Sequence, residues 1–289
     1  MSRQQAEEFA VERVGLTLAG SDRAAADGVG EGPPVVLVHG LTATRRYVVH
    51  GSSLLARRGH RLVSYDARGH GESDPAPAQG PGYVYPELAA DLAAVIEARV
   101  ETGRPVLAGH SMGSQTIAAH ALEHADRVAG IVIVGPVVVG EVPDTGALGS
   151  WDRLADGLEQ GGVEGFLAAY DRDLDPDWRE TLLRITRERL GLHRHPEAVA
   201  RALREVPRSL PFEGLEELER LELPALVVAS HDAADPGHPY AVAREWAERM
   251  PDARLISEEE GESPLAWQGG RLSQEIAAFC SGPAVQARL

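Results

Sequence analysis

Five residues, Gly109-His110-Ser111-Met112-Gly113, lie where a short apolar run, Val106 to Ala108, gives way to an amphipathic stretch beginning at Ser111. A serine between two glycines, with a strand before it and a helix after it, is the context in which a hydroxyl acts as a nucleophile rather than as an incidental turn residue. The sharp turn lifts the hydroxyl out of the sheet, and the glycines allow backbone approaches that a side chain would block. The first amides of the following helix aim at the same place and favour a developing negative charge there. The chemistry that such a serine performs is acyl transfer: attack on a carbonyl, a covalent acyl intermediate, and release by water.

The elements that must hold this serine can be read around it. Val35 to Val38, Arg61 to Tyr65, Val106 to Ala108 and Ile131 to Val134 are short apolar runs that suit central strands. They alternate with amphipathic stretches such as Glu87 to Arg99, which places Leu88, Leu92, Val95 and Ile96 on one face. That order implies a mostly parallel sheet covered on both faces, an α/β fold. Residues 11–23 alternate as one antiparallel edge strand would. After Pro136 only helical spacing remains, as in DWRETLLRITRERLGL and HPEAVARALREV, before strand and helix alternate again from Pro224. The expected organisation is a discontinuous core, 1–139 and 212–289, with an inserted helical cap over 140–211.

Composition removes several chemistries. The chain has 289 residues, 43% of them apolar, enough for a substantial core, and its 28 basic residues are all arginine. Without lysine there is no Schiff-base amine, no pyridoxal anchor and no phosphate-loop lysine. A formal charge of −16 repels a phosphate backbone, so nucleic acid is not an expected partner. The single Cys280 cannot form an internal disulfide or a thiolate cluster. No apolar run approaches a membrane span of about 20 residues, and the charged first residues do not resemble a signal peptide, so a cytoplasmic location is expected. His193-Arg194-His195 has the look of a metal pair, but no third ligand is spaced for it, and neither a metal nor an organic cofactor is expected.

Three segments, VVLVHGLT, YDARGHGESD and LAGHSMG, stand in this order, and with them the chain resembles the α/β-hydrolase-fold proteins over nearly its whole length. The resemblance implies an oxyanion hole from the backbone amides of Leu41 and Met112, with His39 shaping the loop that carries the first of them. It implies that the Asp66-to-Gly71 segment organises a turn in which Asp66 and Arg68 can pair. It also implies a supporting acid on the loop after a later strand, where PALVVASHDAADP offers Asp232, with Asp235 as a second candidate. The pattern departs from the family at the base. Its members carry a late Gly-His pair, yet no histidine follows His238, and Gly261-Glu262 stands at that place. Glu262 could accept the serine proton if the neighbouring Asp232 raised its pKa, or it could be an exposed member of the acidic run Glu258 to Glu262. Otherwise His231 or His238 on the acid loop, or His193 or His195 in the cap, would have to supply an imidazole.

The function that the resemblance implies is a serine hydrolase acting on a small carboxylic ester or related acyl substrate. A carbon-carbon bond hydrolase, a lactonase and a ligand-binding member without turnover share the same fold and stay open. Trp151, Phe166, Tyr170 and Trp178, with Tyr83, Tyr85 and Trp267, could line an apolar pocket, although core packing is the simpler role for each.

Overall fold

The computed structural model describes residues 6–28, 31–80, 82–231, 237–259, 267 and 269–289. The chain opens with strands β1 (Glu7–Arg13) and β2 (Leu16–Arg23), then alternates β3 (Val35–Val38), α1 (Leu54–Arg57), β4 (Leu62–Tyr65), α2 (Tyr85–Arg99), β5 (Val106–His110), α3 (Met112–His124) and β6 (Gly130–Val134). Three helices follow without a strand: α4 (Thr145–Tyr170), α5 (Arg179–Leu190) and α6 (Pro196–Glu205). The alternation resumes with β7 (Ala225–Ala229), α7 (Tyr240–Arg249), β8 (Ala253–Ser257), α8 (Gly270–Cys280) and α9 (Pro283–Gln286).

The strands form one eight-stranded sheet in the order β1-β2-β4-β3-β5-β6-β7-β8, parallel from β4 through β8 and antiparallel at β1 and β2. Residues of β3, β4, β6 and β7 are buried throughout, as both-face coverage requires, so these strands read as continuous apolar runs. Leu92, Val95, Ile117, Ala243 and Trp246 of α2, α3 and α7 pack on one face against Val36, Val38, Leu107, Ile131 and Val227. Leu55, Leu272, Ile276 and Val285 of α1, α8 and α9 cover the other face against Val35, Leu37, Val106, Val132 and Leu226. No helix of the described residues is long and apolar enough to cross a membrane.

Residues 11–23 were expected as one strand and are parts of two. Val14 and Gly15 both take positive φ, 45° and 79°, and close a two-residue hairpin between β1 and β2. A two-residue turn preserves the alternation on either side of it, so periodicity alone does not reveal the break.

The insert of α4 to α6 lies between β6 and β7. Its longest helix reverses at Gly162, and the two arms meet with Gly157 against Gly165, where a Cβ on Gly157 would clash with the Gly165 backbone and one on Gly165 with the Gly157 carbonyl. Helix α6 joins the insert to the core helices: Ala198 and Ala202 pack with Met112 of α3, Tyr85 and Leu88 of α2 and the preceding Tyr83, while Val199, Ala200 and Leu203 pack with Ala155, Leu158, Phe166 and Leu190.

Candidate active site

The backbone at Ser111 is the most constrained feature at the carboxyl ends of the strands. Its φ of 52° and ψ of −119° lie outside the regions that residues with a Cβ favour, and Ser111 connects β5 directly to α3. A Cβ on Gly109 would collide with the Gly113 carbonyl, and one on Gly113 with that of Val38, so both glycines are required by backbone contact. The Ser111 N–H donates to the Val134 carbonyl (2.9 Å), which ties the turn to β6. Ser114, fully buried, reinforces this link. Its Oγ accepts from the Val134 N–H (3.0 Å) and lies within donating distance of the Gly109 (2.7 Å) and Val134 (2.9 Å) carbonyls.

The two candidate oxyanion amides are oriented through their own peptide planes. In a trans peptide the carbonyl and the next N–H point in opposite directions. The Gly40 carbonyl accepts from His39 Nδ1 (2.8 Å) and from the Ala43 N–H (3.0 Å), which turns the Leu41 N–H the other way. The Ser111 carbonyl accepts from the Ser114 N–H (2.8 Å) inside the first turn of α3, so the Met112 N–H points out of the helix end. Gly40 lies against the serine turn, for a Cβ added to it would sit 3.1 Å from Ser111 Cβ and 2.9 Å from His110 Nδ1. Thr42, next in the loop, also has positive φ, 65°.

His39 is buried with both ring nitrogens engaged, Nε2 accepting from the Ala67 N–H at 2.9 Å. Burial, more than any neighbouring charge, lowers its pKa and keeps the ring neutral. It therefore shapes the loop, as the sequence suggested. His193 plays a similar part from the insert: Nδ1 accepts from the Gly71 N–H (2.8 Å) and Nε2 donates to the Thr42 carbonyl (2.9 Å). Burial lowers its pKa to about 4. The ring is thus a strut between the insert and two core loops. His70 lies between these two rings, 5.2 Å from that of His39 and 5.5 Å from that of His193, and donates from Nδ1 to the Arg68 carbonyl (3.0 Å). His195 precedes α6, with Nδ1 3.4 Å from Glu197.

The expected pairing of Asp66 with Arg68 is not formed. Asp66 pairs with the Arg45 guanidinium and accepts the Arg45 (2.7 Å) and Glu72 (3.0 Å) amides. Arg68, fully buried, instead clasps Asp91 of α2 through Nε and Nη2, each at 2.7 Å, and reaches Glu87 at 3.0 Å. A guanidinium needs a planar carboxylate facing its edge, and α2 presents one, whereas two residues in the same tight turn cannot align in that way.

Asp232, Asp235 and Glu262 lie outside the described residues. The flanking residues carry information of their own. Glu258, just past β8, is buried rather than part of a solvated acidic face: its carboxylate accepts from Ser230 Oγ (2.6 Å), the His231 N–H (2.6 Å) and Trp267 Nε1 (2.9 Å). Trp267 Nε1 also lies 2.7 Å from the Ala229 carbonyl. One carboxylate thereby ties the exit of β7 to Trp267 and the end of β8. Sequence patterning missed this residue because it sits inside a run of glutamates. His231 is exposed, stacked on Tyr240 at 3.9 Å, while the His238 ring lies 5.0 Å from that of His110. Burial pushes the Cys280 thiol up to about 12, which leaves it without nucleophilic character. Among the described residues no cluster of three His, Cys, Asp or Glu is placed to hold a metal.

Comparison with known proteins agrees with this architecture. Residues 33–262 match the model of the alpha/beta hydrolase fold family. The chain is 32% identical over 121 residues, 42% of its own length and 36% of the other, to the sn-1-specific diacylglycerol lipase ABHD11 of Xenopus tropicalis. It is 35% identical over 109 residues, 37% of its length and 38% of the other, to a non-heme haloperoxidase of Rhodococcus erythropolis. The chain spans less than half the length of the curated relatives it matches. Among solved structures it superposes on the enol-lactonase of Burkholderia xenovorans LB400 with a TM-score of 0.73 at 22% identity, covering 96% of this chain and 100% of that one. Since the family match takes in the sheet and the serine turn alike, the chain belongs to the alpha/beta hydrolase fold family.

Proposed function

We propose that this chain is a serine hydrolase that cleaves a small carboxylic ester or a related acyl substrate. The observation that carries the reading is the backbone of Ser111, held at φ 52° and ψ −119° by glycines that touch only backbone. Such strain persists only where the surrounding structure imposes it, and a strained strand-to-helix turn of this kind is the one that presents a serine for nucleophilic attack. In this reading the Ser111 oxygen attacks the carbonyl, and the Leu41 and Met112 amides receive the oxyanion. Asp232 on the acid loop supports the base, for which Glu262, His231 and His238 are the candidates. Residues 140–211 act as a cap over a core of 1–139 and 212–289, and no cofactor is required. The names of similar proteins support acyl chemistry, since a lipase and an enol-lactonase both open carboxylic esters, one linear and one cyclic.

A fluorophosphonate probe tests the reading. It should label wild type at Ser111, as located by peptide mass, and should not label Ser111→Ala. Turnover of a short-chain 4-nitrophenyl ester should vanish in the same variant. A folded wild-type chain that takes no label would leave the ligand-binding alternative, which the missing late histidine favours.

A further inference from the structure

The insert reaches the loop beside the serine turn through one side chain. His193 stands between α5 and α6, and its amide donates (3.3 Å) to the carbonyl of Leu190, the last residue of α5, which is buried in the core of the insert. Both nitrogens of its ring are bonded to core backbone. The Gly71 N–H can only donate, so Nδ1 is its acceptor (2.8 Å), and the proton of the neutral ring lies on Nε2, which donates to the Thr42 carbonyl (2.9 Å). Arg194 closes the other side of Gly71, its N–H donating to the Gly71 carbonyl at 2.8 Å.

The Thr42 carbonyl begins a path of two peptides that ends at the Leu41 N–H. The peptide joining Thr42 to Ala43 accepts from His193 and donates through the Ala43 N–H to the Gly40 carbonyl (3.0 Å). The peptide joining Gly40 to Leu41 accepts there and carries the Leu41 N–H on its opposite side. In such a chain each bond polarises the next, so a donor at Thr42 both sets the direction of the Leu41 N–H and strengthens it. This second peptide adjoins the serine, since a Cβ on Gly40 would sit 3.1 Å from Ser111 Cβ. The loop needs a hold from outside, because Thr42 takes a φ of 65°, a conformation that a residue with a Cβ keeps only where its surroundings impose it. His39 shares the Gly40 carbonyl (2.8 Å), so losing His193 would weaken the arrangement and not abolish it.

We propose that His193 is the residue through which the insert positions the oxyanion hole; the proposal rests on the serine-hydrolase reading and on Leu41 as an oxyanion donor. With the insert seated, the His193 ring fixes Thr42, and through it the Leu41 N–H stays aimed at the acyl oxygen as that oxygen takes up negative charge. The effect falls on the barrier and not on binding of the uncharged ester, because the oxygen carries its full charge only in the tetrahedral state.

The test compares full-length wild type with His193→Gln, His193→Asn and His193→Leu. The amide of glutamine reaches about as far as Nε2 and that of asparagine about as far as Nδ1. Glutamine therefore keeps the donor to Thr42, asparagine keeps only the acceptor for Gly71, and leucine keeps neither. The measurements are kcat and KM for 4-nitrophenyl acetate and the rate of Ser111 labelling by a fluorophosphonate, with thermal unfolding as the control for folding. We expect His193→Asn and His193→Leu to lose about 10-fold or more in kcat and in labelling rate with KM changed little, less than the loss on the order of 10²–10³ that follows removal of an oxyanion donor outright. His193→Gln should keep most of the activity. The proposal is overturned if His193→Asn or His193→Leu turns over as fast as wild type, if His193→Gln loses as much as His193→Asn, or if the loss falls on KM alone. Where a variant does not fold, two-bond 1H–15N NMR of wild type decides: a His193 ring protonated on Nε2 supports the proposal, and one protonated on Nδ1 overturns it. A wild-type chain that is not labelled at Ser111 instead overturns the serine-hydrolase reading itself, and this proposal with it, so the two failures are distinct.

Discussion

Ser111 occupies a conformation that costs on the order of 1–3 kcal/mol for a residue with a Cβ, whereas glycine pays almost nothing to adopt it. Ser111→Gly should therefore abolish labelling and yet raise unfolding stability by on the order of 1 kcal/mol, once the greater freedom of glycine in the unfolded chain is subtracted. Chemical denaturation decides the matter, and a destabilised glycine variant would show that the turn is not strained. Glu258 makes the opposite case, a residue whose side chain supports two loops. Its removal in Glu258→Ala takes away the acceptor shared by the Ser230 hydroxyl, the His231 amide and Trp267 Nε1, and should cost about 1–3 kcal/mol in all. Glu258→Gln keeps one acceptor oxygen and should lose roughly half as much. If both variants unfold at the wild-type denaturant midpoint, the clasp contributes nothing.

At the scale of elements, Leu203 on α6 fills the core of the insert, fully buried among Ala155, Leu158, Phe166 and Val199. Leu203→Ala should lower stability by about 2–5 kcal/mol, read from the denaturant midpoint, and the Ala198 and Ala202 face of the same helix should carry the disturbance to Met112. This level also shows what a sequence exposes and what it hides. The central strands, the serine turn and the helical insert were all legible, because each is written in apolar runs or helical spacing that one segment carries by itself. The β1–β2 hairpin was not, because its turn leaves the alternation intact. Neither was the partner of Arg68, which depends on α2 delivering Asp91 from 23 positions away. His193 read as half of a metal-like pair or as an imidazole donor from the insert, and only the folded chain brings its ring between Gly71 and Thr42. Contacts between distant segments leave no local pattern, and the setting of His238 against Gly135 and His110 is of this kind.

For the whole molecule, buried neutral histidines predict how stability depends on acidity. Burial is the first cause that lowers His120 and His193, both to about 4, against an unfolded value near 6.5. Between these limits the unfolded chain binds more protons, so stability is fully present above pH 6.5 and falls as pH drops towards 4, by at most about 1.4 kcal/mol per pH unit for each group. Replacing His120 with glutamine, away from the serine, should flatten the melting temperature over this window without altering Ser111 labelling; an unchanged slope would assign the acid sensitivity to other groups. The sheet itself has a consequence for solubility. Strand β1 is outermost, with no partner beyond it among the described residues, and its exposed positions include Glu7, Glu8 and Glu12. An open strand edge is a template on which a second copy can add its own, and like charges along it make that pairing unfavourable. Glu8 is held by the buried Arg45, so the edge charge is tested at Glu7 and Glu12: a variant with threonine at both should unfold as wild type does and aggregate faster, as read by light scattering.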